Sequence, residues 1–255
     1  WHKPDWTNGS WELIGSDSVA AVHEVLRVAV EALQAAGVEG ITVDLTMPDL
    51  VDTLSASAFP LPEEQIEPVK AALDAKDAGA ITALGAQAYL PLLAATGPFP
   101  HALDRLRAID AGGALASRIA ALESIAASVA DNVTVTLDPT ERHGFEYQSW
   151  IGFSIFVSGH AVTMGRGGSY VITHPDGREE TAVGFSLYPD PLIGAGLGRQ
   201  ADEARKLFLP LGHDAAAAAA LRHAGWTTIA AVCAACDGQA LGCSHQLAGA
   251  TPTAY

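Results

Sequence analysis

The chain has 255 residues, of which 49% are hydrophobic and 17% charged, enough for one large domain or a large domain with a small one attached. Acidic residues outnumber basic ones by 29 to 14, so the formal net charge is −15, and no Lys/Arg cluster offers the basic footprint of a nucleic-acid binder. We therefore do not expect nucleic acid as a partner. No stretch approaches eighteen consecutive apolar residues, so we do not expect a membrane as a partner either.

The first predicted element is an amphipathic helix over residues 17–36. Asp17 or Ser18 can cap it, and Gly37 follows its end. The apolar stripe of this helix is Val19, Val22, Leu26, Val30 and Leu33. A β-branched strand (40–45) comes next, and Pro48 suits the first turn of another helix.

Residues 62–130 show a helical pattern throughout, interrupted by prolines and by Gly112–Gly113. The longest piece is 114–130, where Leu, Ile and Val recur at three- and four-residue spacing. We expect this Ala-rich block to pack as short helices.

The apolar period then changes from helical to alternating, which indicates strands. Residues 132–137 alternate, and a long strand follows with one face formed by Phe145, Tyr147, Ser149, Ile151, Phe153, Ile155 and Val157. Further short strands are expected at 161–164, 168–173 and 182–188. Turns at Ser158–Gly159 and Pro175–Gly177 suggest that these strands are antiparallel neighbours.

The C-terminal part predicts a small separate unit. A helix near 190–205 is followed by a strand at KLFLPLG, an Ala-rich helix (214–224) and a strand at WTTIAAV, which is a β-α-β rhythm. The predicted fold class is α+β, with a core in residues 1–200 and an α/β unit in residues 201–255.

Three cysteines and a histidine lie close together in C-x₂-C-x₆-C-x-H spacing: Cys233, Cys236, Cys243 and His245. Zinc would need all four on one tetrahedral centre. We instead expect Cys233 to end an apolar strand as a packed thiol and the others to be core or surface thiols, with no metal bound. An odd number of clustered cysteines is not a disulfide framework, which predicts a cytoplasmic protein.

Familiar catalytic motifs are missing from the sequence. GRGGS (165–169) and GAGLG (194–198) have no following Lys-Ser/Thr and do not join a strand to a helix, so we interpret them as turns or close-packing glycines. The serine-hydrolase pattern G-x-S-x-G and the metal-binding pattern H-E-x-x-H do not occur.

Residues 141–154, ERHGFEYQSWIGFS, place titratable groups directly before a buried strand. The GRGGSY segment supplies a neighbouring glycine-rich strand where a ligand can approach the backbone. On residue types alone, a ligand site and a merely solvated strand end are equally good interpretations.

A family resemblance favours the ligand site. HGFEYQSWIGFSIFV, then GRGGSY, then AVGFSLYPDPL resembles the end of a class II aminoacyl-tRNA synthetase core, and specifically the histidyl-tRNA synthetase family. WELIGSDS (11–18) resembles the segment in which a glutamate of that family contacts the amino group of bound histidine, and Glu12 is the matching residue. The likeness covers residues 9–198 and implies an antiparallel sheet flanked by helices.

The chain departs from the synthetase pattern where cations would hold ATP. The ATP-clamping Arg expected near Pro191 is absent, His143 replaces the loop Arg unless Arg142 takes its place, and Ser169 replaces another Arg. Gln148 stands where the family has a second Tyr. Adenylate formation needs positive charge around the phosphates, so the resemblance does not imply ATP chemistry. The first motif and the Arg of the second lie outside these 255 residues.

A synthetase-like, acidic chain without ATP chemistry is similar to one family in particular, the regulatory subunits of ATP phosphoribosyltransferase. That resemblance implies a non-catalytic, cofactor-free subunit that activates the short-form catalytic subunit and relays feedback inhibition by L-histidine. It also implies a hetero-octamer in which the regulatory chain forms a homodimer. The implied histidine pocket is Asn8, Glu12, Arg142, His143, Glu146, Tyr147, Gly168 and Tyr170.

Three other interpretations stay open. The fold can serve as an interaction scaffold with an inert pocket, as an active histidyl-tRNA synthetase fragment, or as a stand-alone amino-acid sensor.

Overall fold

The computed structural model describes residues 9–110, 112–129, 131, 133–142, 148–197 and 205–255. The chain divides into two compact units, Trp1–Gly198 and Arg199–Tyr255. Each unit has a hydrophobic cluster of its own. Over the described ranges, every helix is too short or too polar to cross a membrane.

The first unit combines a seven-stranded sheet with helices. Its described strands are β1 (Gly9–Ile14), β2 (Ile41–Thr46), β3 (Gly97–Pro98), β4 (Thr134–Leu137), β5 (Gln148–Val157), β6 (His160–Thr173) and β7 (Glu179–Leu187). Its described α-helices are α1 (Val19–Ala35), α2 (Leu50–Ser55), α3 (Glu63–Asp74), α4 (Ala78–Ala83), α5 (Phe99–Ile109), α6 (Ala116–Val129) and α7 (Pro189–Gly194). A 3-10 helix, Gln87–Ala94, lies between α4 and α5.

The strand order in this sheet is β1-β7-β6-β5-β2-β4-β3. The neighbouring pairs are antiparallel except β2 and β4, which run parallel. The predicted α+β class is confirmed, and the sheet is mixed rather than purely antiparallel. A parallel pair needs a long crossover, and the helical block between β2 and β4 supplies it.

Helix α1 follows the prediction closely. The Ser18 hydroxyl accepts a hydrogen bond from the backbone N–H of Ala21 at 3.3 Å, so Ser18 and not Asp17 is the cap. The predicted stripe is buried, with Val19 only partly so. Gly37 follows the helix with φ of +85°, a conformation that glycine adopts without strain.

The described residues of 62–130 form helices separated by turns, apart from one short strand. Gly97–Pro98 forms this edge strand, β3, which pairs with β4. The interruption expected at Pro98 is present, but the sequence did not predict that it would be a strand. Proline lacks a backbone N–H and is tolerated on a sheet edge.

Strands β5 and β6 form the centre of the sheet. The predicted inward face of β5 is confirmed for Ile151, Phe153, Ile155 and Val157, while Phe145 and Tyr147 lie outside the described residues. The two strands expected at 161–164 and 168–173 are one continuous strand, β6, because the glycines between them remain in the ladder.

The helix expected near 190–205 is shorter where it is described. Helix α7 ends at Gly194, and Gly196 follows with φ of +68°. The N–H of Leu197 donates to the carbonyl of Leu192 at 2.9 Å, which closes the helix end.

The second unit contains a four-stranded sheet. Its described elements are β8 (Lys206–Leu209), α8 (Ala215–His223), β9 (Thr227–Ala230), β10 (His245–Ala248) and β11 (Thr251–Ala254). The strand order is β11-β10-β8-β9, and the parallel pair β8–β9 around α8 is the predicted β-α-β unit. The Asp214 carboxylate caps α8 by accepting from the backbone N–H groups of Ala216 and Ala217.

Candidate functional site

The two faces of the seven-stranded sheet differ in chemistry because side chains alternate along each strand. One face carries Val43, Leu45, Phe153, Ile155 and Val183, all buried in the main core. The opposite face carries glycines and polar side chains and forms a groove of about 370 Å³. That volume lies within the range of about 300–1,000 Å³ typical of small-molecule sites.

The strand pairing orders the polar face into rows that cross the sheet. One row runs through Glu12, Gly184, Gly168, Gly152 and Thr46, each paired with the next on the neighbouring strand. Three adjacent strands therefore meet at glycines. Without side chains there, the floor of the groove is bare backbone, and Glu12 stands at one end of it.

The adjacent row carries hydroxyl and charged groups. It runs through Ser10, Ser186, Arg166, Ser154 and Asp44. The hydroxyls of Ser10 and Ser186 lie 2.8 Å apart, which confirms that these side chains share a face. The groove thus offers a carboxylate at Glu12 and a guanidinium at Arg166 on neighbouring rows.

The glycine floor is required by close packing. A Cβ at Gly168 would lie 2.6 Å from the Ile151 carbonyl oxygen, and one at Gly184 would lie 2.8 Å from the Trp11 carbonyl oxygen. Real Cβ atoms essentially never approach that closely. A larger residue at either position would have to displace backbone as well as fill the groove.

Gln148 covers one part of this floor. Its Nε2 donates to the Gly167 carbonyl at 2.9 Å. A Cβ on Gly168 would come within 2.7 Å of the same nitrogen, and a Cβ on Gly152 would clash with Oε1 of the Gln148 side chain. Gln148 therefore lies over Gly152 and Gly168, and the floor beside Gly184 and Glu12 is left to the groove.

Ser169 binds the backbone of β5 beneath the floor. The β5–β6 register shifts between Gln148 and Gly152. At this shift the Ser169 hydroxyl, fully buried, accepts from the N–H groups of Trp150 at 3.1 Å and Ile151 at 3.2 Å. Serine thus satisfies backbone donors within the core. The position where the synthetase pattern has an Arg faces away from the groove.

The structure brings three of the eight predicted pocket residues together: Glu12, Gly168 and Tyr170 line the groove. Asn8, His143, Glu146 and Tyr147 lie outside the described residues. Their part in the pocket stays a prediction.

Arg142 lies elsewhere, beside helix α3. Its backbone N–H donates to Asp74 at 2.8 Å and its Nη1 donates to Glu67 at 3.0 Å. The adjoining recess holds only about 10 Å³.

Lys70 completes this ion-paired cluster, with its Nζ 2.8 Å from both Glu67 and Asp52. The hydrogen bond from Lys70 lowers the pKa of Glu67, and that from Arg142 lowers it further. Burial lowers the pKa of Lys70, but its bonds to Asp52 and Glu67 outweigh this and leave it raised. The groups in this cluster satisfy one another.

Gln148, which the sequence marked as a changed pocket position, lines the groove. The predicted pocket left out six other lining residues: Arg166, Gly167, Val171, Gly184, Phe185 and Ser186. Arg166 had a usable signal, because it stands two and four residues before Gly168 and Tyr170 on the same strand and so shares their face. Ser186 became recognisable only through its pairing with Arg166 and Ser10.

The three cysteines of the second unit differ in exposure. Cys233 is exposed, Cys236 is partly exposed and Cys243 is buried. Strand β9 ends at Ala230 and Cys233 is exposed, so the expectation that Cys233 ends a strand as a packed thiol was wrong. Over the residues with described positions, no three His, Cys, Asp or Glu side chains are grouped as metal ligands.

Comparison with known proteins places the chain in a family. The family model described as histidyl-tRNA synthetase matches residues 9–192. An ATP phosphoribosyltransferase regulatory subunit from Paramagnetospirillum magneticum is 37% identical over 92% of the chain and 63% of the relative. One from Rhodospirillum centenum is 37% identical over 93% of the chain and 63% of the relative. The chain therefore spans about 63% of the length of these relatives.

Solved structures share the fold. A protein described as an ATP phosphoribosyltransferase regulatory subunit/histidyl-tRNA synthetase from Bacillus halodurans has a TM-score of 0.69 at 18% identity, covering 92% of this chain and 65% of that one. A histidyl-tRNA synthetase from Nostoc has a TM-score of 0.70 at 14% identity, covering 94% and 65%. An ATP phosphoribosyl transferase complex from Thermotoga maritima contains a chain with a TM-score of 0.57 at 19% identity, covering 71% and 65%. The chain belongs to the histidyl-tRNA synthetase family, and its resemblance to ATP phosphoribosyltransferase regulatory subunits is confirmed.

Proposed function

We propose that this chain acts as a non-catalytic regulatory subunit of ATP phosphoribosyltransferase, activating a short-form catalytic subunit and relaying feedback inhibition by histidine. The curated relatives bear that subunit's name, and the Thermotoga maritima neighbour comes from a complex of the transferase. The proposed assembly is a cytoplasmic hetero-octamer that contains a homodimer of the regulatory chain.

The groove beside Glu12 carries the ligand-binding part of this proposal. A carboxylate opposite a bare glycine floor is suited to an ammonium group, and a charge-assisted hydrogen bond there contributes about 1.5–3 kcal/mol. Arg166 supplies positive charge on the next row for a carboxylate. A zwitterionic amino acid presents both groups, and Tyr170 adds an aromatic surface for its side chain.

The changed cation positions support a non-catalytic role. Ser169 is inside the core, and Arg142 is engaged by Glu67 and Asp74. Phosphoryl chemistry needs positive charge aimed at the phosphates. These two positions do not supply it to the groove.

Reconstitution with the short-form catalytic subunit tests the partner role. The catalytic subunit would be assayed for ATP phosphoribosyltransferase activity alone, with this chain, and with this chain plus L-histidine. We expect the chain to co-elute with the catalytic subunit in size-exclusion chromatography, raise its activity, and make that activity sensitive to histidine. Failure to co-elute, with histidine still bound by the chain, would favour the stand-alone sensor.

Calorimetric titration with L-histidine tests the groove separately, with another amino acid as the ligand control. We expect saturable binding that Glu12→Gln weakens about tenfold or more, which is about 1.4 kcal/mol. Glu31→Gln is the matched variant, because Glu31 is an exposed carboxylate on α1 near Arg27. Equal affinity in the two variants would remove Glu12 from the site.

ATP–pyrophosphate exchange separates the remaining alternative. Histidine-dependent exchange by the purified chain would show an active synthetase fragment and contradict the non-catalytic role. If the chain co-elutes with and activates its partner but binds no histidine, the fold is an interaction scaffold with an inert pocket.

A further inference from the structure

Cys233 and Cys236 lie on one exposed turn after β9, apart from the groove residues in sequence and within the second unit. The backbone N–H of Cys236 donates to the Cys233 carbonyl at 3.3 Å. The two Sγ atoms are 2.7 Å apart. A covalent sulfur–sulfur bond is about 2.05 Å long, so the two sulfurs already lie close to bonding distance.

The turn is open to a reagent in solution. Val232, directly before the pair, is 90% exposed, and Cys233 is exposed as well. Oxidation of a thiol is selective for sulfur that is accessible and readily ionised. The hydrogen bond from Cys233 lowers the pKa of the Cys236 thiol, and backbone hydrogen bonds from Val232 and Cys233 lower it further. The same contact raises the pKa of Cys233.

We propose that Cys233 and Cys236 form a dithiol modification site that a small disulfide such as oxidised glutathione converts to an intramolecular disulfide. The Cys236 thiolate attacks one glutathione sulfur, which forms a mixed disulfide and releases one glutathione thiolate. Cys233 then loses its proton and attacks the Cys236 sulfur, which releases the second glutathione. The protein dithiol is oxidised by two electrons, and one glutathione disulfide is reduced to two thiols.

The third cysteine provides an internal comparison. Cys243 is 6% exposed, and burial raises the pKa of its thiol. Accessibility and ionisation therefore both favour reaction at the Cys233–Cys236 turn over reaction at Cys243. A disulfide that closes so short and exposed a segment is of the labile class that follows the redox state of its surroundings.

Counting alkylated thiols tests the proposal on the whole chain. The reduced protein would be equilibrated in buffers of increasing oxidised-to-reduced glutathione ratio and quenched in acid. It would then be denatured and labelled with N-ethylmaleimide, and its intact mass would be measured by mass spectrometry. The chain has three cysteines, so we expect three labels in the reduced form and one in the oxidised form. Peptide mapping should find the remaining label on Cys243 and a Cys233–Cys236 crosslink, and dithiothreitol should restore all three labels.

Variants separate the intramolecular bond from simple glutathionylation. Cys233→Ser should convert the two-label loss into a loss of one label, with glutathione retained on Cys236. Cys236→Ser should likewise lose one label, with glutathione retained on Cys233. Three labels on wild-type protein in fully oxidised glutathione, or a crosslink that includes Cys243, would overturn the proposal. The mapping of wild-type protein decides the result even if a variant fails to fold.

Discussion

The groove over the sheet and the recess beside Arg142 are both lined by charged groups, yet the first holds about 370 Å³ and the second about 10 Å³. In the recess, cations and carboxylates from different segments neutralise one another at 2.8–3.0 Å. In the groove, the neighbouring strands contribute glycine, and space is left above the backbone. Charged side chains alone therefore do not indicate a ligand-binding site, whereas charged side chains beside unfilled space do.

The largest effect is expected from filling the glycine floor. Gly168→Ala places a methyl group 2.6 Å from the Ile151 carbonyl and 2.7 Å from Gln148 Nε2, so we expect a loss of about 1–3 kcal/mol of unfolding free energy. Urea unfolding followed by circular dichroism measures it. The control is Gly194→Ala, where nothing lies within 4 Å of the added Cβ. Equal stability of the two variants would show that β5 and β6 can shift enough to accommodate the added methyl group at little cost.

A slightly smaller loss of unfolding free energy is expected from changing Ser169, which lies beneath the glycine floor. Ser169→Ala leaves the buried N–H groups of Trp150 and Ile151 without the hydroxyl that accepts from them, at a cost of about 1–2 kcal/mol. Ser186→Ala is the control, because this serine lines the groove and is only partly buried. If Ser186→Ala costs as much as Ser169→Ala in urea unfolding, burial is not what makes Ser169 important.

The recess should contribute to stability and not to ligand binding. Lys70→Met removes a side chain that is 13% exposed and pairs with Asp52 and Glu67. We expect it to lower the unfolding free energy by about 1 kcal/mol, within the range of partly screened ion pairs. Histidine affinity, measured by calorimetry, should stay unchanged. A large fall in affinity would connect the recess to the groove and contradict the comparison.

The smallest effect concerns pH. The pKa of Glu67 lies below its ordinary value of 4.5, so its contribution to stability is present above pH 4.5 and is lost as pH falls through the lowered pKa. Because Glu67 is 62% exposed, we expect less than about 1 kcal/mol. The stability difference between wild type and Glu67→Gln should shrink on acidification from pH 6 to pH 3. Glu63→Gln, on the same helix, is the control. A stability difference that grows on acidification would contradict the lowered pKa of Glu67.

The sequence by itself determined the local elements. Period and capping predicted α1 with its buried stripe, and alternation predicted the inward face of β5, because both patterns arise from backbone geometry within one segment. The glycines of GRGGSY were also recognised as a place where a ligand can approach. The sequence predicted a break at Pro98 but not the edge strand at Gly97–Pro98, which is two residues long and gives no periodic signal.

Only the tertiary structure decided which polar residues share the groove. Gly152, Gly168 and Gly184 come from three separate strands, and register alone aligns them with Glu12. Arg142 is near the predicted loop in sequence, but Asp74 and Glu67 hold it at α3. Likewise, Ser169 and Tyr170 are adjacent in sequence, yet one is buried below the floor and the other lines the groove. Strand pairing between distant segments has no counterpart in local periodicity.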